Sequence, residues 1–207
     1  MSAMRRPARR GVKRGFWCGI LLPVMALAQA PHAPTVYGTA SAEPPPAENC
    51  QIIVSEPELN YGAVTRYALR EAPGSNNLLL GKRQVTLNVS CVNAVKIGVS
   101  FRGPSVGADY LFGTQGRVVI RVIDAQLDGR SVNLGSANVA GMMPVSSAAA
   151  VQFVPGQVVV PVENGQPATG TRFSATVEMD PSLPMDAAHV QGRSTMETVG
   201  TFEVLWR

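Results

Sequence analysis

The chain has 207 residues, 45% of them hydrophobic, which is enough to build a buried core, and its 18 basic and 14 acidic side chains give a formal net charge of +4. Six of the basic residues and none of the acidic ones lie in the first 28 positions, which leaves 12 against 14, net −2, in the remainder. The basic excess thus belongs to the first 28 residues and gives no argument for nucleic-acid or anionic-membrane binding, so no nucleic-acid partner is expected.

Arg5, Arg6, Arg9, Arg10, Lys13 and Arg14 make a basic start, and Phe16 to Ala28 is an apolar run. These are the first two regions of a secretory signal, and the run is too short to cross a bilayer. Ala26-Leu27-Ala28 offers small residues for cleavage after Ala28; Ala40-Ser41-Ala42 is a later alternative. Cys18 lies inside the apolar run without lipobox residues before it, which argues against a lipid anchor. The expected organisation is a signal at 1–28, a flexible arm at 29–49 and one domain at 50–207. Once the signal is removed, Cys50 and Cys91 remain. In an oxidising compartment they read as one disulfide closing a loop of about 40 residues, contributing about 3–5 kcal/mol on the chain-entropy model. Zinc would need further His or Cys ligands nearby, and no metal or cofactor is expected.

The arm is rich in Pro and Ala and carries little that could build a core. Its one strand-like stretch places Val36, Gly38 and Ala40 on one side, before Pro44-Pro45-Pro46. Strand signals then follow at Gln51–Ser55, Arg83–Cys91, Lys96–Phe101, Val118–Asp124, Val151–Val154, Gln157–Val162, Thr171–Met179 and Thr198–Trp206. Val85, Leu87, Val89 and Cys91 share a face, as do Phe173, Ala175, Val177 and Met179. Turn clusters separate them, including Ala72-Pro73-Gly74, Asp128-Gly129 and Asn164-Gly165. No stretch has a helical period; Ala137–Ala150 is small and apolar but is broken by Gly141 and Pro144. Short strands at near-regular spacing predict an all-β, immunoglobulin-like sandwich. The last strand alternates cleanly, with Gly200, Phe202, Val204 and Trp206 on one side and Thr201, Glu203, Leu205 and Arg207 on the other.

Four features occur in order: a signal, a short arm, Cys50-Gln-Ile-Ile-Val-Ser-Glu-Pro-Glu-Leu-Asn-Tyr-Gly62 with Val85-Thr-Leu-Asn-Val-Ser-Cys91 after it, and a closing Gly200-Thr-Phe-Glu-Val-Leu-Trp-Arg207. Together they resemble subunits of chaperone–usher pili, in particular a fimbrial-like branch with Leu-x-Tyr-Gly after the first cysteine. The resemblance spans about Cys50 to Arg207, with the middle third matched by strand content. It implies an incomplete pilin sandwich lacking its last strand, whose open groove is filled first by a periplasmic pilus chaperone and then by the arm of a neighbouring subunit. It also implies an outer-membrane usher as partner, passage through the periplasm, and a place in an adhesive fimbrium at the cell surface. Carried over, Gly200, Phe202, Val204, Trp206 and the carboxylate of Arg207 become the chaperone- and subunit-binding residues. Val36, Gly38 and Ala40 become the donor strand. The chain departs from the family in having Trp206 for the usual penultimate Tyr, and Ser194 where the family has Gly.

Enzymatic chemistry finds little support. His32 and His189 are the only histidines, and no Gly-x-Ser-x-Gly elbow accompanies them. Asp124 with Asp128, and Asp180 with Asp186, lie beside turns where Asp is common. The alternative is a self-contained secreted binding module or adhesin that recognises a surface glycan or protein. Tyr110 and Phe112, in the Gly107–Gly116 loop, would be an aromatic platform for it, or else a core edge beside a turn. The chain has no length for the extra lectin domain of tip adhesins, which points to a shaft or minor subunit.

Overall fold

Alternation of β-branched and polar residues produces strands, and Gly-, Pro- and Asn-containing turns end them. The computed structural model describes residues 49–189, 192 and 194–207; the expected signal, most of the arm and Val36, Gly38 and Ala40 lie outside those residues. In chain order the strands are β1 (Cys50–Val54), β2 (Arg70–Glu71), β3 (Asn77–Leu79), β4 (Arg83–Arg102), β5 (Ser105–Val106), β6 (Asp109–Phe112), β7 (Gly116–Leu127) and β8 (Arg130–Ser131). They continue with β9 (Asn133–Ala137), β10 (Ser147–Ala148), β11 (Val151–Gln152), β12 (Val158–Glu163), β13 (Gln166–Pro167), β14 (Thr169–Pro184) and β15 (Thr201–Trp206). A single 3-10 turn at Arg66–Ala68 interrupts the loop after β1. The fold is all β, as the sequence predicts.

β4 corrects one expectation. The sequence reads as two strands, Arg83–Cys91 and Lys96–Phe101, but the chain stays extended from Arg83 to Arg102. The intervening Val92-Asn93-Ala94-Val95 contains neither Gly nor Pro, so nothing forces a turn. The partners change instead. The first half lies between β1 and β14, and the second between β15 and β12. β4 therefore belongs to both sheets of the sandwich. The first sheet continues from β14 to β7, β6 and β5, and the second from β12 to β9 and β10. Odd-numbered side chains face inward in each half of β4, Val85, Leu87 and Val89 in one sheet and Ile97, Val99 and Phe101 in the other, while Asn93 at the changeover is exposed. They meet Ile120 and Val122 of β7, Phe173 and Val177 of β14, and Phe153, all buried in one apolar cluster.

The Cys50–Cys91 disulfide links directly opposed residues of β1 and β4, with Cα atoms 4.0 Å apart. The Leu59-Asn60-Tyr61-Gly62 stretch also has a structural role. Asn60 Oδ1 accepts the Gly62 N–H at 2.7 Å, closing a turn in which Gly62 takes φ +70°. Tyr61 packs edge-on to Phe112 with ring centroids 6.1 Å apart, and burial pushes its hydroxyl up to about 12.

Asp128 closes a turn and ties it to β14. With Gly129 it forms the turn between β7 and β8, both at positive φ. Its Oδ1 accepts the Arg172 N–H at 2.8 Å, the Thr171 N–H at 3.1 Å and the Thr171 hydroxyl at 3.0 Å. These bonds, led by that from Arg172, hold its carboxyl below the usual range. Glu178, on the outer face of β14, is likewise lowered, first by its bond from Lys82 Nζ at 2.7 Å. Both folded-state values lie below the unfolded ones, so the stabilisation is present above about pH 4.5 and is lost as pH falls through the depressed values. The urea midpoint should be flat between about pH 7 and 5 and fall below about pH 4. Asp128→Asn should reduce that fall.

Candidate functional site

β15 is placed by its alternation and by one glycine. Phe202 and Val204 turn inward and pack on the core, where Phe202 lies 4.9 Å from Phe101 and 5.8 Å from Phe153, centroid to centroid. Gly200, just before the strand, sits under the Phe101 ring, which a side chain there would overlap. Phe101 cannot retreat easily. Its other side meets Tyr110 edge-on at 4.9 Å, and the Tyr110 hydroxyl donates to the Phe101 carbonyl at 2.7 Å. Gly200→Ala is therefore expected to cost about 1–3 kcal/mol through forced repacking, measured as a lower urea midpoint, and to weaken seating of β15.

The backbone of β15 has one partner among the described residues. It pairs antiparallel with β4, Thr201 opposite Arg102 through Trp206 opposite Ile97. Just beyond the strand, Arg207 and Lys96 exchange both backbone hydrogen bonds, at 2.8 and 3.2 Å. Antiparallel pairs alternate between bonded and non-bonded positions. Hence Thr201, Glu203 and Leu205 direct their N–H and C=O groups to β4, and Phe202, Val204 and Trp206 direct theirs away from it. β1 has the same property. Val92 N–H donates to Asn49 O at 2.8 Å and Ser55 N–H to Thr86 O at 2.9 Å, so Cys50, Ile52 and Val54 direct their backbone groups outward. β1 and β15 lie end to end along one edge of β4, and Ile52, Val54, Phe202 and Val204 are all partly buried against the core. The result is an edge whose unpaired backbone groups belong to the residues whose side chains face inward.

The structure thus brings Phe202, Val204 and Trp206 together on one edge, with Gly200 packed beneath Phe101. Trp206 is 40% exposed at the strand end, and Arg207 is exposed. Sequence reasoning did not find Phe101, Phe153, Ile52 and Val54 as parts of this edge; alternation alone places them in the core without saying which strands adjoin. Leu205, read as outward-facing, is also covered: it packs on Ala137, Ala140, Val158, Val160 and Val162, a second apolar cluster on the outer side of the second sheet. Of the two readings of Tyr110 and Phe112, the core edge holds and the aromatic platform does not. Tyr110 and Phe112 lie in β6 and are buried, 3% and 9% exposed, because Gly107 and Gly113 turn the chain and fold that strand onto β7. His189 is exposed and faces the Arg66 guanidinium, with Nη1 to Nδ1 at 2.8 Å.

No protein-family model and no curated protein matches the chain. Among solved structures, a match is found with the crystal structure of the P pilus rod subunit PapA. That chain is 15% identical to this one, the alignment covers 77% of this chain and 99% of that one, and the TM-score is 0.34. A likeness of that extent carries no functional argument.

Proposed function

We propose that this chain is a structural subunit of a chaperone–usher fimbria, assembled by strand addition on β15 and contributing to cell adhesion. The observation that carries the reading is the outer edge of β15, where Phe202, Val204 and Trp206 have their backbone groups free of β4 while Phe202 and Val204 face the core. Unpaired backbone beside apolar side chains favours pairing with another strand, and an added strand gains affinity from the ladder and specificity from alternate side chains. The resemblance of the Cys50–Gly62, Val85–Cys91 and Gly200–Arg207 stretches to fimbrial subunits supports the same reading. In it, residues 1–28 direct export and residues 29–49 form the arm. Val36, Gly38 and Ala40 are donated to a neighbouring subunit. A periplasmic chaperone and an outer-membrane usher act before that exchange.

The test is periplasmic expression with and without a candidate pilus chaperone, scored by soluble yield and one-to-one co-purification. Solubility that depends on the chaperone is the expected result. A chain that is a stable monomer alone, with no affinity for chaperone or arm peptide, overturns the reading in favour of a self-contained binding module. Truncation of Phe202–Arg207 should abolish capture and leave the chain degraded.

A further inference from the structure

Two hairpins close on the same kind of tight turn. The β7–β8 hairpin pairs Leu127 with Arg130 across Asp128-Gly129, and the β12–β13 hairpin pairs Glu163 with Gln166 across Asn164-Gly165. Each turn has two residues, both at positive φ: +49° and +78° in the first, +50° and +76° in the second. That is the type I′ turn, which Asp-Gly and Asn-Gly favour. The two hairpins meet where Arg130 Nη2 lies 3.4 Å from Glu163 Oε1. They differ in what holds the first side chain of the turn. Asp128 is clamped to β14 by bonds from the Thr171 N–H and hydroxyl and from the Arg172 N–H, and a side chain on Gly170 would overlap its carboxylate. Asn164 is exposed and has no such clamp among the described residues, and a Cβ on Gly165 would meet nothing within 4 Å.

From this contrast we infer that Asn164 is a site of spontaneous covalent modification, converting to aspartate and isoaspartate in the folded chain, while the matching turn at Asp128 is protected. The Gly165 backbone nitrogen, after losing its proton, attacks the side-chain carbonyl carbon of Asn164. A new C–N bond forms, the bond to the side-chain amide nitrogen breaks, and ammonia leaves, giving a five-membered cyclic imide. Water then opens the imide at either carbonyl. One product is ordinary aspartate; in the other the main chain runs through the former side chain. Glycine favours the attack because it has no side chain to hinder its nitrogen, and no other asparagine of the chain precedes a glycine. Gly165 also stands outside the ladder, and β13 supplies only Gln166 and Pro167, so the turn opens locally at little cost to β12. The same attack at Asp128 would need a neutral carboxyl, and the bonds from β14 hold that group ionised and in place. Aspartate at 164 keeps the turn preference but sets a second carboxylate beside Glu163 to compete for Arg130. Isoaspartate lengthens the backbone inside a two-residue turn and uncouples β13 from β12.

The test is incubation of the purified exported chain at physiological temperature in mildly acidic and mildly alkaline buffer, followed by tryptic mapping with mass spectrometry. The tryptic peptide 131–172 contains Asn133, Asn138 and Asn164, so the three are compared within one fragment. The expected result is conversion of amide to acid at Asn164 at least about tenfold faster than at Asn133 or Asn138, faster in the alkaline buffer, with both products present. Asp128, in the peptide 122–130, should form isoaspartate in mildly acidic buffer only when the chain is unfolded in urea. Asn164→Gly keeps the positive φ at no steric cost and should remove the acidic species that the aged parent shows on ion exchange. Conversion at Asn164 no faster than at Asn133 or Asn138 overturns the inference. So does an acidic species that persists in Asn164→Gly, or isoaspartate at Asp128 of the folded chain at the unfolded rate. The strand-addition reading is untouched by any of these outcomes, because the two turns use no residue of β15 or β1.

Discussion

Phe153→Ala is expected to lower unfolding free energy by about 3–5 kcal/mol, the largest effect of any single side-chain truncation proposed for this chain. Phe153 is 1% exposed and follows directly on β11, which pairs with β7 in the first sheet. Its ring lies 5.8 Å from Phe202 of β15 and 6.5 Å from Phe101 of β4, centroid to centroid. It therefore fills the space between the sheets beneath β15. Cutting it to Ala leaves a cavity whose walls belong to strands of both sheets and are hydrogen-bonded in place, so they collapse only in part. Urea unfolding followed by far-ultraviolet circular dichroism measures the loss. Val106→Ala, at a position 55% exposed, is the matched control and should stay within about 0.5 kcal/mol of the parent. A loss under about 1 kcal/mol for Phe153→Ala would mean that β15 is not seated on this ring.

The second large effect is that of the disulfide. Cys50 and Cys91 are 41 residues apart in sequence, and closing a loop of that length contributes about 4 kcal/mol through the unfolded chain. The double variant Cys50→Ala, Cys91→Ala should lose about that much, read as the difference in urea unfolding free energy from the oxidised parent. It should lose more at β1 than elsewhere. Among the described residues β1 has a ladder only with β4, so amide exchange should show Ile52 and Val54 opening before the core of β14. Uniform loss of protection would instead mean that β1 is needed for the whole sandwich.

Much of the fold is legible in the residues because period-two alternation has one physical cause, burial on a single face. Val85 to Cys91 and Phe173 to Met179 show it, and so does the run from Val158 to Val162, whose continuous apolar character reflects a strand covered on both faces. What the sequence hides are features set by partners. β9 escapes notice because Asn133-Leu-Gly-Ser-Ala137 has no β-branched residue; it forms because β12 pairs along it from Asn133 to Ala137 and Pro144 packs onto Gly135. β6 is masked by the glycines around it. The edge of β15 is legible only as an amphipathic strand, since alternation is the same whether or not another strand lies beside it. The bulge at Asp124 is less legible still: Asp124 reads as the end of a strand beside a turn until the register of β14 shows that β7 gains one residue there.

The continuity of β4 has a mechanical consequence. A pull on the chain at Asn49 reaches Cys50 one residue later, and there the disulfide passes the load covalently to Cys91 near the middle of β4. From that point the force runs along a single strand that is laddered to β14 in one sheet and to β15 and β12 in the other. Ladder hydrogen bonds run perpendicular to the strand, so under a load directed along β4 they resist together in shear and are not peeled apart singly. Tension applied at this end is thus shared by both layers of the sandwich, and the weakest part under load is not the short strand that first receives it.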